Sequence, residues 1–454
     1  MKYRGFLGAS LLALAMACGS VGTAQAQSIS QALAAAYDHA PDLQAALLSA
    51  KASAEGIVQA KSGMMPTLGA SVSGSQNASL VGGNWQSGSS LTTGLSYSQT
   101  IFDNFRTEAQ VEAARASAEV AEHQIRNAEQ NVLLEVVQAY MSVLSGRELL
   151  ALRQENISFF QAQVQAAQDR LDVGEGTRID VAQAQARLAQ GQAAYQASLG
   201  SLQTAEATFQ RLVGVRPQGL STSHQYSNLI PRSLDSAISE AEIGHPGILL
   251  AKAGIRAAQA GSDAAQAGFG PTASISGSVG TSWTGPSGGP QDGIRGSLGF
   301  EVRIPIYAGG AIGSAVRQAN LNQIKSEVDA MSAYDQVREA VISAWTGIQS
   351  ADAQISAAQA GVSSSNTVLD GVIQERDLGT RTTLDVLNAQ ADLTTARESL
   401  INASNSKVVA TFALLSAMGR LTATDLGLPV QVKTAVPYTQ AVEDVWQELR
   451  TIAE

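Results

Sequence analysis

The stretch GIRGSLGFEVRIPIY, residues 293–307, alternates apolar and polar side chains with a period of two. One face would carry Ile294, Gly296, Leu298, Phe300, Val302, Ile304 and Ile306, and the other Arg295, Ser297, Gly299, Glu301 and Arg303. Because successive side chains of a β-strand point to opposite faces, the pattern predicts a strand with one face suited to lipid and one suited to water. Segments 66–75, 90–102 and 271–283 alternate in the same way.

Four strands are too few to close a membrane barrel within one chain. Bacterial barrels begin at about eight strands, and an open sheet edge leaves backbone groups without hydrogen bonds in lipid. Several copies would therefore share one barrel. Two copies would give about eight strands around an interior filled by side chains, whereas three would give about twelve around a lumen. The polar inner faces favour the trimer.

The ends of the strands carry two further predictions. The Gly- and Ser-rich links, residues 76–89 and 284–292, are predicted as outward-facing loops. Phe102 and Tyr307 are candidate membrane-interface aromatics, because aromatic side chains are enriched where a membrane meets water. Ordinary packing at a strand end explains these two aromatics equally well.

The chain contains two copies of one pattern, displaced by 205 positions. The recurring pairs are Pro41 and Pro246, Pro66 and Pro271, Phe102 and Tyr307, Gly174 and Gly379, Thr177 and Thr382, Asp180 and Asp385, and Gly214 and Gly419. A fixed offset of this kind is the signature of an internal repeat. The predicted organisation is a signal peptide at 1–26, repeats at 27–230 and 231–430, and a tail at 431–454.

Each copy is predicted to contain a helix, two strands, a long helix and another helix. The long helix of the first copy, about 105–173, has no proline and places small and apolar residues at spacings of three and four. At about 1.5 Å per residue it would be on the order of 100 Å long, beyond any compact domain. A second helix is predicted at about 178–213, with a counterpart from 386. A plain coiled coil explains the helices alone, but the strands decide against it.

The N-terminus has the layout of a secretory signal peptide. A basic start precedes an apolar run at 6–17, and Ala24-Gln25-Ala26 supplies a small-residue cleavage site. The only cysteine, Cys18, lies inside this segment, so the mature chain would have no thiol and no disulfide. Acylation of Cys18 in a lipoprotein is the alternative, with a weaker signal.

Composition narrows the function classes. Aromatic residues make up 5% and charged residues 15% of the chain, so helices would pack through small side chains. The net charge of −10 disfavours a nucleic-acid binder. Beyond the signal peptide no stretch reaches the roughly 18 apolar residues of a membrane-spanning helix, which leaves strands for any crossing.

Signals for enzyme chemistry are weak. The four histidines, His39, His123, His224 and His245, are scattered and form no metal-binding spacing. The sequence contains no Walker loop and no G-x-S-x-G or G-x-G-x-x-G motif. No catalytic activity, cofactor or metal site is therefore predicted.

The second copy contains GTRTTLDVLNA, residues 379–389, followed by MGRL, residues 418–421. With the signal peptide and the doubled layout, these residues resemble the TolC family of outer-membrane factors, over about 28–430. The resemblance implies an α+β membrane protein: a homotrimer whose twelve-stranded β-barrel, four strands per chain, continues into a long periplasmic α-helical barrel. It also implies docking to a periplasmic adaptor (membrane-fusion) protein and an inner-membrane transporter of the RND or ABC class.

The resemblance also implies a pore constriction and a closed-state network. Asp385 matches an acidic residue that narrows the tunnel entrance, and Asn388 stands where close relatives carry a second acid, which weakens a second ring. Arg381 matches a position that holds the closed state, and Asp180 is assigned to the same network. The usual tyrosine companion of Arg381 is replaced by Arg376, so this network is expected to differ in detail.

The two turns between long helices are the candidate adaptor-docking tips. The residues proposed for docking are Gly174, Thr177, Gly379 and Thr382. Their glycines suit the left-handed conformation that ends a helix, and Thr-x-x-Asp is a pattern that caps the start of the next helix. Capping alone also explains these polar residues.

The predicted function is a passive outer-membrane exit duct for drugs, bile salts and other toxic compounds. A type I protein-secretion duct, or both roles, has the same fold and is the alternative. The motif resembles a general-purpose duct, which favours efflux. After Pro429 the chain is expected to form a short amphipathic helix or a mobile tail.

Overall fold

A computed structural model describes residues 27–221, 226–284 and 293–443. The predicted signal peptide with Cys18, the link at 285–292, His224 and the tail after 443 lie outside the described residues. The described chain divides into two units. The first unit contains 27–39, 136–221, 226–227 and 354–405, and the second contains 40–135, 228–284, 293–353 and 406–443.

The helices recur at the offset of the sequence repeat. In the first copy they are α1 (Ile29–His39), α2 (Pro41–Lys61), α3 (Arg106–Asp172) and α4 (Arg178–Val213). Their counterparts are α5 (Leu234–Gly244), α6 (Pro246–Gln266), α7 (Ala311–Asp377) and α8 (Thr383–Ala417), followed by α9 (Val436–Glu443). The predicted long helix is confirmed, since α3 and α7 each have 67 residues.

Within the described ranges, none of the helices has a run of residues long and apolar enough to cross a membrane.

Proline and glycine mark the ends of several helices. Pro41 and Pro246 occupy the first turns of α2 and α6, where the missing N–H has no intrahelical partner to lose. Gly214, after α4, has φ of +82°, a left-handed conformation that a side chain would strain. Gly419, its counterpart after α8, has φ of +79°.

The four strands form one antiparallel sheet in the order β1-β2-β3-β4, within the second unit. They are β1 (Thr67–Val81), β2 (Asn84–Phe102), β3 (Thr272–Thr284) and β4 (Ile294–Arg303). Thr67 lies opposite Ser98 in the first hairpin, and Thr272 lies opposite Arg303 in the second, again 205 positions later. Every β3–β4 pair repeats a β1–β2 pair in this way.

Two predicted strand boundaries are wrong. Most of the link at 76–89 is strand, because β1 continues to Val81 and β2 begins at Asn84, around a turn at Gly82 and Gly83 with φ of +61° and +84°. Ladder hydrogen bonds use backbone groups, so a polar sequence extends a strand as well as an apolar one. The fourth strand ends at Arg303 rather than Tyr307, because its partner β3 begins only after Pro271, which has no N–H to donate.

In this register, the apolar side chains of all four strands lie on one face of the sheet. Along one row across the sheet, Leu68 lies opposite Tyr97, Tyr97 opposite Gly277, and Gly277 opposite Leu298. Leu68 and Leu298 are more than 80% exposed. The opposite face carries hydroxyls, such as the pair Ser278 and Ser297 with oxygens 2.8 Å apart. The sheet of one chain therefore has an exposed apolar face and a polar face, as the alternation predicts.

A bulge in β2 keeps one predicted interface aromatic on the apolar face. The β2–β3 register shifts between Thr100 and Phe102, so Phe102 lies opposite Ala273. A bulge inserts one extra residue and reverses the side-chain alternation after it. Phe102 packs edge-to-face on Phe105, with ring centroids 5.9 Å apart. Tyr307 lies beyond the end of β4 and is 89% exposed.

The C-terminal segment packs on the first copy within the second unit. Helix α9 lies against α2, and the Tyr438 hydroxyl donates to Glu55 Oε1 at 2.6 Å. Arg115 Nε donates to Glu443 Oε1 at 3.0 Å, and Lys61 lies 3.3 Å from the same oxygen. These cations lower the pKa of the Glu443 carboxyl, chiefly through the hydrogen bond from Arg115. A short helix is thus present, although the predicted positions after 443 lie outside the described residues.

Candidate functional site

The first helix turn, between α3 and α4, has the geometry that its sequence predicts. Gly174 has φ of +83°, and the next two N–H groups donate to the Arg170 carbonyl, at 2.9 and 3.0 Å. Thr177 begins α4 with a capping box: its N–H donates to Asp180 Oδ2 at 3.0 Å, and the Asp180 N–H donates to Thr177 Oγ1 at 3.2 Å. Gly174 and Thr177 are exposed, and Asp180 is half-buried.

The second turn, between α7 and α8, repeats this arrangement. Gly379 has φ of +83°, and the Thr380 N–H donates to the Glu375 carbonyl at 2.9 Å. The Thr382 N–H donates to Asp385 Oδ2 at 2.9 Å, and the Asp385 N–H returns to Thr382 Oγ1 at 3.2 Å. The aspartate therefore acts as a cap as well as a negative charge on the helix surface.

Hydrogen bonds and a neighbouring charge at the second turn lower the pKa of Asp385. Hydrogen bonds from the Thr382 N–H and hydroxyl lower the pKa of the Asp385 carboxyl, and the positive charge of Arg381 lowers it further. Arg381 Nε donates to Glu375 Oε2 at 2.8 Å, which raises the pKa of the arginine. Asp385 is thus held as a carboxylate. Within the described chain, Arg381 forms an ion pair with Glu375 of its own helix hairpin, whereas the Asp180 carboxylate accepts a hydrogen bond from the Thr177 hydroxyl.

The two helix hairpins pack on each other within the first unit. Phe160 of α3, Ala184 of α4 and Leu387 of α8 form a buried apolar cluster beneath the turns. Arg376, which replaces the tyrosine expected from the resemblance, donates through Nη1 to Gln163 Oε1 at 2.8 Å. Since Gln163 belongs to α3 and is 9% exposed, Arg376 joins the two hairpins close to the turns.

A second cross-connection involves the other predicted constriction residue. Arg187 of α4 donates through Nη2 to Asn388 Oδ1 of α8 at 2.8 Å. Asn388 is exposed and lies three residues after Asp385, on the same face of α8. Sequence reasoning missed Arg187, because the contact joins residues 201 positions apart and leaves no local pattern.

Between α3 and α8, farther from the turns, buried polar side chains take the place of an apolar core. The buried Asn156 of α3 accepts from Gln390 Nε2 at 3.2 Å and from the Thr394 hydroxyl at 3.4 Å. Arg153 and Glu398 form an ion pair at 2.6 Å next to them. Such a layer fixes the relative register of α3 and α8, because a shift would leave buried polar groups without partners.

Exposed apolar side chains flank both turns, and the sequence motifs did not predict them as functional residues. Val173 and Leu378 are 71% and 81% exposed, and Ile179 and Leu384 are 68% and 37% exposed. The residues of each pair are 205 positions apart. Their sequence signal is an apolar residue directly before the turn glycine and another directly after the helix start.

Among the residues that the structure describes, no cluster of three or more His, Cys, Asp or Glu side chains is arranged to hold a metal ion.

Comparison with known proteins identifies relatives over nearly the whole chain. The family model described as outer membrane efflux protein matches residues 29–215 and 237–420. The outer membrane efflux protein BepC of Brucella suis is 37% identical over 438 residues, covering 95% of each chain. The outer membrane protein TolC of Escherichia coli is 25% identical, covering 90% of this chain and 85% of TolC.

Two further comparisons bear on function and fold. The alkaline protease secretion protein AprF of Pseudomonas aeruginosa is 25% identical, covering 75% of this chain and 72% of AprF. The crystal structure of the Campylobacter jejuni CmeC outer membrane channel superposes with a TM-score of 0.76, at 17% identity, covering 92% of this chain and 89% of CmeC. This likeness concerns the fold alone, and it confirms the predicted class of four strands with long paired helices.

Proposed function

The chain belongs to the outer membrane efflux protein family, and from this membership we propose that it is the passive exit duct of a tripartite efflux system. The match of both repeats to the family model and the 37% identity to BepC establish the membership and the outer-membrane location. The assembly, the docking partners, the entrance and the cargo are the parts that we propose.

The proposed assembly is a homotrimer that shares one barrel. The outer edges of β1 and β4 would lie unpaired in lipid if each chain inserted alone, at a cost of several kcal/mol per unsatisfied group. Pairing β4 of one copy with β1 of the next removes both edges. Three copies close about twelve strands with the polar face inside, which leaves a lumen.

The internal repeat supports a specific register for this contact between copies. Within the chain, β2 pairs with β3 so that Ser96 lies opposite Ser278. With the repeat offset of 205, the equivalent of Ser96 is Glu301 of β4, and the equivalent of Ser278 is Ser73 of β1. We therefore infer that Glu301 of one copy lies opposite Ser73 of the next, on the polar face.

The helix turns are the proposed docking surface for a periplasmic adaptor, which would connect the duct to an RND or ABC pump. Gly174, Thr177, Gly379 and Thr382 are exposed there, beside the apolar side chains of Val173 and Leu378. Apolar side chains that are exposed together at both turns are suited to contact with another protein. An inner-membrane partner would supply the energy for transport.

The proposed entrance is built around the Asp385 carboxylates of three copies. A ring of carboxylates attracts cations and repels anions at a narrow point. Asn388 would form a neutral ring one helical turn away, and Arg381 with Asp180 would belong to the network that holds the closed state.

Efflux of drugs, bile salts and other toxic compounds is the proposed transport role. The name of BepC describes an efflux protein, and that relative matches more of this chain at higher identity than AprF does. Protein secretion remains the second candidate because AprF is named for the secretion of an alkaline protease.

Deleting the gene in its host and measuring both bile-salt tolerance and the secreted proteins tests the cargo. We expect the deletion strain to become sensitive to bile salts and dyes, and a plasmid copy to restore tolerance. Unchanged tolerance together with the loss of a secreted protein would replace efflux by secretion.

A further inference from the structure

Arg187 places a positive charge beside the proposed entrance. Its guanidinium extends from α4 to α8, where Nη2 donates to Asn388 Oδ1 at 2.8 Å. Nη1 donates to Gln190 Oε1 on its own helix at 3.3 Å. The side chain is therefore held against the face of α8 that carries Asp385 and Asn388.

The hydrogen-bond acceptors of this guanidinium within the described residues carry no charge. Both acceptors are oxygens of neutral amides, in contrast to Arg381, whose partner is the Glu375 carboxylate. An arginine side chain stays protonated at every accessible pH. Arg187 therefore adds a positive charge beside Asn388, one helical turn from the carboxylate of Asp385.

We propose that Arg187 is a selectivity-determining residue of the duct, which offsets the negative ring of Asp385 and makes the entrance less cation-selective than that ring alone. The proposal rests on the proposed function, since it requires that Asp385 and Asn388 line the conducting path. An entrance of mixed charge would pass anionic amphiphiles, such as bile salts, with less electrostatic resistance than an entirely acidic one.

The charge balance predicts an order among variants. Asp385 supplies a carboxylate and Arg187 a guanidinium in each copy, while the charges of Arg381 and Glu375 beside them offset each other in an ion pair. Arg187→Gln removes a positive charge from α4, and Asn388→Asp adds a negative charge to α8. Each single variant therefore makes the entrance more negative by one charge per copy. The double variant makes it more negative by two, and Asp385→Asn makes it more positive by one.

The test is the reversal potential of purified wild-type and variant channels in planar bilayers under a potassium chloride gradient. We expect both single variants at Arg187 and Asn388 to raise the ratio of cation to anion permeability at least about twofold, since even one unit charge about 8 Å away in water contributes an energy near the thermal energy, with opposite sign for a cation and an anion. The double variant should exceed both, and Asp385→Asn should lie below the wild type.

Arg211→Gln is the matched control. It removes the same charge from the last turn of α4, about 36 Å along the helix from Arg187, several Debye lengths away at physiological salt. Its permeability ratio should equal that of the wild type. Heat-resistant trimers on gels would verify that each variant assembles, and if Arg187→Gln does not assemble, Arg187→Met removes the same charge and takes its place.

The outcomes separate this inference from the proposed function. If Asp385→Asn lowers selectivity while Arg187→Gln leaves it unchanged, the role of Arg187 is overturned and the entrance stands, whatever Asn388→Asp does. If Asp385→Asn has no effect either, the proposed entrance itself is wrong. A shift in the Arg211→Gln control as large as that of Arg187→Gln would also overturn the role assigned to Arg187.

Discussion

Replacing Gly419 by alanine should destabilise the second unit far more than the same change at Gly379. Both glycines follow long helices in left-handed conformations, with φ of +79° and +83°. A Cβ at Gly419 would lie 2.8 Å from His245 Cα and 3.2 Å from the Gly244 carbonyl oxygen, closer than unstrained contacts allow. A Cβ at Gly379 would meet no atom of the chain within 4 Å.

The two positions therefore separate backbone strain from steric contact. A residue with a side chain pays about 1–2 kcal/mol in the left-handed region. Overpacking against atoms that cannot move adds about 1–3 kcal/mol, and here the nearest atoms belong to the backbone and to the rigid ring of Pro246. We expect losses of about 2–5 kcal/mol for Gly419→Ala and about 1–2 kcal/mol for Gly379→Ala.

Thermal unfolding of the purified protein, followed by circular dichroism of its helices, measures the difference. Gly419→Ala should melt at a clearly lower temperature than Gly379→Ala, and fewer heat-resistant trimers should reach the outer membrane. Gly379→Ala should keep most of its stability, and any loss of efflux would then reflect its place on the docking surface. Equal losses of melting temperature would refute the assigned packing of the chain around Gly419.

Three other perturbations test separate parts of the structure. Leu298→Arg on the apolar face should cost about 2–4 kcal/mol in the lipid-embedded barrel and reduce the amount of protein in the outer membrane. Ser297→Arg on the polar face should be tolerated. Immunoblots of membrane fractions compare the two variants. Glu129 is fully buried and accepts from the Ala423 N–H at 2.6 Å and from Arg126, so Glu129→Ala should cost about 1–3 kcal/mol in thermal unfolding, because it leaves the buried Ala423 N–H without an acceptor. The pKa of Glu443 is lowered in the folded state, so its ion pairs stabilise the C-terminal segment above the unfolded pKa near 4.5, and this contribution is lost as the pH falls through the folded value. Limited proteolysis of the segment should therefore accelerate in acid, and Glu443→Gln should reduce that pH dependence.

Local patterns in the sequence predict the elements of the fold well. The absence of proline over 105–173 and the capping motif at Thr177 predict α3 and the start of α4 within one residue. Period-two alternation identifies all four strands. These signals are local, since a helix cap or a strand face depends on residues only a few positions apart.

The limits of the strands depend on partners that no local pattern reveals. The alternation at 293–307 continues to Ile306, but β4 ends where β3 has no more backbone to pair with. At 76–89 the sequence turns polar while the ladder continues. Side-chain composition reports the environment of a face, whereas hydrogen-bond pairing decides where a strand stops.

The candidate site was predictable only in part, for the same reason. The turn residues at Gly174 and Gly379 follow from local rules. The contacts of Arg187 with Asn388 and of Arg376 with Gln163 join helices from different repeats, more than 200 positions apart. Only the packing of the two hairpins brings these side chains together.

The central claim, that several copies share one barrel, is tested by joining the two edges of the sheet. The variant carries Ser73→Cys and Glu301→Cys, with Cys18→Ser removing the only native cysteine. Three strand spacings separate the two positions within a chain, at least about 14 Å, which is too far for a disulfide. Any bond between them must therefore join two copies.

Mild oxidation of outer membranes, followed by denaturing gels without reductant, is the measurement. The proposed register predicts a covalent band of three chains that reductant collapses to one. A control with Ser73→Cys and Arg295→Cys, about 20 Å out of register, should stay monomeric. Monomers alone in the Glu301 variant, or equal cross-linking in the control, would contradict the shared barrel in this register.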